Sequence, residues 1–294
     1  MIKDLSELSS SKKKHITGEF YQGKSINDIA YNHNIFPNEV LAILKDRTVD
    51  AKSIKKVLPL FEINDDSFII ISDTHIGSTK FDINLLYYVY QYAKQKGIKH
   101  IIHAGDLIQS TMRPTIPSLR DEVKQLIYTV ENYPEMKDIN THILLGNHDF
   151  HTLIKEPEYI KVLATRKDFD ILGFKRAYFT WKNYLLSVRH DIDKYNVDMP
   201  HEDSEMMFCG HRHEYFVHGQ DKLMLPCLCC DVKNYHNELS LPGFIEVYKK
   251  NDKLCTIVHE FPYEDYENRI FQKVAKTRPG YSRKLIQTFK INTK

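Results

Sequence analysis

Apolar positions change period along the chain. Over residues 15–44 they recur at helical spacing in three short segments. The first, His15 to Gln22, is stopped by Gly23. Ser25 is an N-cap candidate for the second, Ile26 to His33, which turns Ile26, Ile29 and Ala30 inward. Asn34 can take the left-handed conformation that ends it. Pro37 suits the first turn of a third helix through Leu44, with Val40, Leu41, Ile43 and Leu44 apolar. Ahead of them, Lys12 to Lys14 follow a serine run and read as a flexible arm. Residues 46–66 read as a linker with one apolar run, Val57 to Ile63.

From Phe68 the pattern becomes short apolar runs separated by helical stretches. Phe68 to Ile71, His100 to His103 and Thr141 to Leu145 predict buried strands. Asn84 to Gln95 and Arg120 to Asn132 predict the helices between them, which implies βαβ units. After residue 170 strand-like runs take over: Ala177 to Trp181, Tyr184 to Val188, Met206 to Cys209, Lys222 to Leu225 and Phe244 to Tyr248. The predicted fold is α/β, a two-sheet sandwich flanked by helices, preceded by a small all-α domain. The predicted division is a helical domain and linker over 1–56, the α/β body over 57–268 and a basic tail over 269–294.

The candidate chemistry sits just past the predicted strand ends, where α/β sheets bind ligands. Ser72-Asp73-Thr74-His75 follows the first strand, Gly105-Asp106 the second and Gly146-Asn147-His148-Asp149 the third. His190 follows Tyr184 to Val188, and Gly210-His211-Arg212-His213 follows Met206 to Cys209. Five strand ends thus carry carboxylate, imidazole and amide to one rim. Hard oxygen with borderline nitrogen is the donor mix of Mn²⁺, Fe and Zn²⁺ sites rather than Ca²⁺ sites.

In this order the motifs resemble the signature of the calcineurin-like metallophosphoesterases: Asp-x-His, Gly-Asp, Gly-Asn-His-Asp, His, Gly-His-x-His. The resemblance spans residues 67 to about 262, and every signature position is present. It implies a hydrolase of phosphoric esters with two divalent metal ions, Mn²⁺ first, with Fe, Zn²⁺ and Ni²⁺ as alternatives. By the same resemblance Asp73, His75 and His213 bind one metal. Asn147, His190 and His211 bind the other, and Asp106 bridges both. His148 is not a ligand but lies beside the substrate phosphate, where it protonates the leaving oxygen or stabilises charge, and Asp149 orients its imidazole. The glycines at 105, 146 and 210 let backbone approach closely.

Residues 15–44 resemble a helix-turn-helix of the resolvase or sigma-factor type, with Ile29 and Ala30 at its apolar and small positions. That implies a second motif helix in the DNA major groove. Its outward residues are Asn38, Glu39, Ala42 and Lys45, and Asn38 and Lys45 are the candidate contacts. A module that binds protein or packs on the body is the other reading.

Charge sharpens the question of partner. The chain has a net charge of +2, but residues 1–56 carry +3 and residues 269–294 carry +8, which leaves −9 on the rest. Basic ends on an acidic body point to a polyanion such as DNA. Lys276, Arg278, Arg283 and Lys284 are the candidate tail contacts. Arg113 and Arg120 follow the Gly-Asp loop and read first as helix-start surface charges, with contact to a substrate phosphate as the other reading. Five cysteines are an odd number and read as free thiols in a reducing cytoplasm, with Cys227, Cys229 and Cys230 in a buried strand. The N-terminus has no apolar core of a signal peptide, and no apolar stretch reaches the ~20 residues of a membrane span.

These features order the functions. A nuclease or phosphodiesterase acting on DNA comes first, because Asp73-Thr74-His75-Ile76-Gly77-Ser78 also resembles the first motif of DNA-processing members of the family. Nucleotide or small-ester hydrolysis and protein dephosphorylation are alternatives. A DNA-binding adaptor without catalysis is the alternative of another class, opposed by the complete set of ligand candidates.

Overall fold

A computed structural model describes residues 8–21, 26–35, 39, 40, 43, 60–156, 158–174, 176–190, 204–218, 221–230, 233–235, 238–251, 253–261 and 283–289. Helix α1 (Ser10–Tyr21) begins earlier than the apolar spacing predicts. The Ser9 hydroxyl accepts a hydrogen bond from the Lys12 N–H at 3.2 Å. This cap places Lys12 to Lys14 inside the helix instead of in an arm. Helix α2 (Ile26–His33) ends as expected at Asn34, whose φ is 54°. The Asn34 and Ile35 N–H groups donate back to the Tyr31 and Ala30 carbonyls at 3.2 and 3.0 Å, which closes a Schellman motif. Residues 39, 40 and 43 are helical. Ile16, Ile29, Ala30, Ile35, Val40 and Ile43 are buried. Asn38 and Lys45 lie outside the described residues.

The body follows in chain order: β1 (Phe61–Ile63), β2 (Ser67–Ile71), α3 (Ile83–Lys96), β3 (His100–Ala104), α4 (Glu122–Asn132), β4 (Asn140–Leu145), α5 (Asn147–Lys155), α6 (Tyr159–Leu163) and β5 (Phe169–Phe174). Then come β6 (Arg176–Trp181), β7 (Tyr184–Arg189), β8 (Met206–Cys209), β9 (Phe216–His218), β10 (Lys222–Met224), β11 (Lys233–Tyr235), β12 (Glu238–Ser240), β13 (Gly243–Lys250), β14 (Lys253–Glu260) and β15 (Arg283–Phe289). One sheet runs β15-β14-β13-β2-β3-β4-β5, with β2 to β5 parallel and β13 to β15 antiparallel. The second runs β1-β6-β7-β8-β10-β9.

Strand alternation explains the layers. Ile69 and Ile71 of β2, Ile101 of β3 and Ile143 and Leu145 of β4 face one way, toward Leu85, Leu86 and Val89 of α3 and Leu126 of α4. Their neighbours Phe68, Ile70, Ile102 and Leu144 face the other way and meet Phe179, Trp181, Leu186, Val188 and Phe208 of the second sheet. Each central strand is therefore apolar on both faces, as the uninterrupted runs in the sequence require. Trp181 is fully buried at this seam, edge-on to Phe68, and its indole N–H donates to the Asp65 carbonyl at 2.9 Å.

Part of the predicted basic tail, residues 283–289, is a strand. Residues 283–289 pair along β14, with Arg283 opposite Glu260 and Lys284 opposite His259. Arg283 thus has an acid across the ladder, although no acid lies near it in sequence. Lys276 and Arg278 lie outside the described residues. Cys227 and Cys229 are buried in a loop after β10, not in the strand that the sequence predicts, and all five cysteines are free thiols. Among the described residues no helix is long and apolar enough to cross a membrane.

The seam sets an expected stability cost. Trp181→Ala should lower the unfolding free energy by about 3–5 kcal/mol, since it removes the largest side chain between the sheets. Denaturant unfolding of the full chain measures this. A loss under about 1 kcal/mol would show that the two sheets do not share a tight core there.

Candidate metal centre

All five motif segments leave the ends of their strands on one side of the sandwich, three from the first sheet and two from the second. Hydrogen bonds stitch the loops together before any side chain is considered. The Asp73 N–H donates to the Gly105 carbonyl at 2.9 Å, the His75 N–H to Asp106 at 3.1 Å and the Gly210 N–H to Arg189 at 2.9 Å. The loops must approach very closely. A Cβ on Gly105, whose φ is 100°, would stand 2.3 Å from the His190 ring. A Cβ on Gly146 would stand 2.4 Å from the Asp106 nitrogen. Five candidate ligands, Asp73, His75, Asp106, His211 and His213, have left-handed φ between 47° and 80°. Non-glycine residues rarely hold that conformation, and its clustering here marks backbone strain kept at a functional site.

The two buried aspartates divide their oxygens between structure and chemistry. Asp73 Oδ2 accepts from the His211 N–H at 2.9 Å and from the Ser72 hydroxyl at 2.5 Å. Its Oδ1 has no hydrogen-bond partner and stands 3.2 Å from His213 Nε2 and 3.6 Å from His75 Nε2. The same two imidazole nitrogens lie 3.0 Å apart. Asp106 Oδ1 accepts from the His148 N–H at 2.9 Å. Its Oδ2 faces His190 Nε2 at 3.0 Å and His75 Nε2 at 3.8 Å, between the two groups of ligands.

These donors fit divalent ions. Asp73, His75 and His213 form one three-donor group, and Asp106, His190 and His211 form another. The first group has edges of 3.0, 3.2 and 3.6 Å. Bonds of about 2.1 Å to a common ion give edges of roughly 3–3.5 Å. Buried polar atoms without a hydrogen-bond partner also gather here: Asp73 Oδ1, Asn147 Oδ1, His190 Nε2 and His211 Nδ1. The His190 Nδ1–H donates to the Ala104 carbonyl at 2.6 Å, which leaves Nε2 as the ligand atom.

Electrostatics agree with a cation-seeking site. Burial alone would push both aspartates up, but His190 and its neighbouring imidazoles hold Asp73 and Asp106 well below the usual carboxylate range. Burial would push His190 down, and Asp106 and Asp73 instead lift it to about 9. Burial lowers His75 and His211, which keeps them neutral and able to act as ligands. His103, pushed down by burial to about 3, lies beneath the site and accepts from the Gly105 N–H at 3.3 Å. It pairs with Thr74 Oγ1 at 2.9 Å, and that hydroxyl donates to the Leu107 carbonyl at 2.8 Å.

The hydrogen bonds of Asp149 run to backbone and to Tyr159, not to the His148 imidazole. Its carboxylate accepts from the N–H groups of Leu107, Ile108 and Gly146 at 3.1, 3.1 and 2.8 Å and from the Tyr159 hydroxyl at 3.0 Å. As the third residue of α5 it turns back to the helix start and across to the β3 loop, away from the imidazole. His148 is oriented by the Gln109 carbonyl, which accepts from Nδ1–H at 2.5 Å. That backbone partner leaves no trace in residue type. A Gly-Asn-His-Asp motif does signal a helix capped by its own aspartate, and that signal is present in the sequence.

The pocket over these ligands has a volume of about 520 Å³. His75, Asp106, Asn147, His148, His211 and His213 line its floor, and Lys80, Met112, Arg113, Pro114, Arg212 and Cys229 stand around them. Arg113 is therefore at the pocket and Arg120 is not. His151 lies outside the two donor groups and bonds Ser110 Oγ at 2.7 Å.

A sandwich of two mixed sheets with helices outside and a histidine–aspartate centre at the strand ends defines a metallophosphoesterase fold. Residues 67–226 match the model of the calcineurin-like phosphoesterase superfamily domain, and the chain belongs to that superfamily. Similar solved structures include a single-site mutant of Vps29 from Entamoeba histolytica, at 11% identity and TM-score 0.44 over 76% of this chain and 99% of that one. The phosphoesterase Yfce from E. coli has 14% identity and TM-score 0.40 over 64% and 90%. The nuclease MPE from Pseudomonas putida has 14% identity and TM-score 0.37 over 64% and 85%. No curated protein matches the chain.

Asp149→Ala separates the two roles considered for that residue. Removing the carboxylate leaves three buried N–H groups unpaired and frees the loop that carries Asp106. Mn²⁺ affinity, measured by calorimetric titration, should fall about 10–100-fold. Full metal affinity with only a lower kcat would instead make Asp149 an orienting partner of His148.

Proposed function

We propose that the chain is a phosphodiesterase acting on DNA, with two divalent ions held by Asp73, His75 and His213 on one side, Asn147, His190 and His211 on the other, and Asp106 between them. The observation that carries this reading is the pair of neighbouring three-donor groups, with Asp106 Oδ2 near imidazoles of both, beneath one pocket. Two ions there supply Lewis acidity and a clamp for in-line displacement at phosphorus. The chain's own residues do the rest. Ser72 and the His211 N–H fix the Asp73 carboxylate. The Ala104 carbonyl fixes the face that His190 presents, and the Gln109 carbonyl holds His148 Nδ1–H so that Nε2 is the atom left for the substrate. From there His148 can donate a proton to the leaving oxygen. Manganese is the ion we expect first, because the donors mix carboxylate, amide and imidazole.

Three features support DNA over a small ester: the three-segment helical head, the basic ends and a cationic pocket rim. Hydrolysis of nucleotides or other small phosphoesters is the second reading, favoured by a pocket sized for one nucleotide unit.

The deciding experiment is Mn²⁺-dependent hydrolysis by the full chain of single-stranded DNA, duplex DNA, bis-p-nitrophenyl phosphate and p-nitrophenyl phosphate. Cleavage of small esters with no action on either DNA would establish the second reading. In the same assay His148→Ala should retain metal and lower kcat by roughly 10²–10⁴-fold on DNA. The loss should be smaller on bis-p-nitrophenyl phosphate, whose leaving group needs no proton. Equal losses on both would argue against acid catalysis.

Binding has its own test, for which deletion of the C-terminal end is unsuitable because it removes β15. Charge reversal at Lys45, Lys276 and Arg278 should weaken duplex binding. It should also flatten the dependence of log K on log salt by about 0.9 for each phosphate that is no longer neutralised. An unchanged slope would remove these residues from the interface.

A further inference from the structure

The pocket has more cationic surface than one phosphate needs. Its floor, once loaded with metal, already neutralises a scissile phosphate. Yet Arg113 and Arg212 both line the same pocket, and Asp106, on the floor, is its single carboxylate among the described residues. Neither guanidinium has a hydrogen bond or ion pair with any described residue. Arg166, by contrast, is bound by Asp168 at 2.5 Å and by the Tyr133 carbonyl at 2.6 Å.

Both arginines stand on fixed backbone. The loop that carries Arg113 is pinned at its two ends, by the Gln109 N–H on the Ile76 carbonyl and the Ile116 N–H on the Gly77 carbonyl, each at 2.9 Å. A bridge between Ser78 and Thr115 and a hydrogen bond from the Gln109 side chain to the Pro114 carbonyl at 3.3 Å close it further. Arg212 lies between two ligand candidates of left-handed backbone, His211 and His213, and the His211 N–H is tied to Asp73. Met112 and Pro114 flank Arg113 at the pocket wall, and Met112 is 48% exposed, one of few large apolar side chains left in solvent. A cationic group next to an apolar one, on a rigid loop, suits the phosphate and the base or sugar of one nucleotide.

We propose that Arg113 and Arg212, with Met112 and Pro114, form a subsite for the nucleotide unit adjoining the scissile phosphate and grip the second phosphate of that unit. The subsite rests on the reading of the chain as a phosphodiesterase for nucleotide chains. It makes a linked phosphate part of what the protein recognises, and it separates substrates with two phosphates from those with one.

Calorimetric binding to the full chain at saturating Mn²⁺ tests it without requiring turnover. Thymidine 3′,5′-bisphosphate should bind about 10-fold or more tighter than thymidine 5′-monophosphate, as expected for one additional charge-assisted contact. Arg113→Ala and Arg212→Ala should each bring that ratio close to one, while Arg120→Ala, outside the pocket, should preserve it. A ratio near one in the unaltered protein, or one that survives in both variants, overturns the subsite. DNA cleavage accompanied by a ratio of one overturns the subsite and keeps the nuclease reading. A high ratio that falls in both variants, in a protein that cleaves no DNA, keeps the subsite and overturns that reading.

Discussion

Two ionised carboxylates are buried where the sheets meet, and the rest of the centre follows from the need to compensate them. A carboxylate removed from water costs several kcal/mol unless it is paired and hydrogen-bonded. Asp73 and Asp106 meet that need in the same way. One oxygen of each is taken by backbone N–H from a neighbouring loop, and the other is turned toward imidazoles. The backbone half ties loops together: Asp73 joins the first sheet to the His211 loop of the second, and Asp106 joins the β3 loop to the start of α5. The imidazole half concentrates negative charge at the point where cations are wanted.

The same need explains the strained backbone. Five ligand candidates hold left-handed conformations because the carboxylates and the ladder of loop hydrogen bonds define their positions more strongly than local preference does. Glycine appears where loops cross at distances no Cβ allows, against His190 and Asp106. Asp149 adds the last restraint. It collects donors from two loops and so fixes Asp106 from behind, without touching the pocket. Burial and the charge of Asp106 push its carboxyl up to about 6, against the three backbone donors that favour the ionised form.

Much of this is legible in the sequence, for physical reasons that also mark the limit. Buried parallel strands read as apolar runs, so β2, β3 and β4 are placed to within a residue of their ends, and the polar motifs after them fall at the rim. Asn34 is identifiable as a helix stop because few residues accept its conformation. Strands β5 and β14 escape the apolar pattern, since Asp170 and Gly173 interrupt one and Thr256 and His259 the other. The orientation of His148 by a carbonyl and the support of Thr74 by His103 depend on long-range backbone approach, which composition does not encode. The pairing of Arg283 with Glu260 across β14 and β15 is of the same kind.

That pairing bears on the proposed recruitment of a polyanion. Eight basic residues after position 268 look like a single charged tail in the sequence. With β15 in the sheet, Arg283 and Lys284 sit on backbone paired with β14, and charge carried there is screened by salt. Under the proposed function, long-range attraction is assigned to the basic residues of the head and of residues 269–282. Under the proposed function, discrimination is assigned to the pocket, where Arg113 and Arg212 act over contact distances. Recruitment and recognition are therefore assigned to different charges. The first should fade with ionic strength, and the second should depend on it less because it acts over contact distances shorter than the screening length.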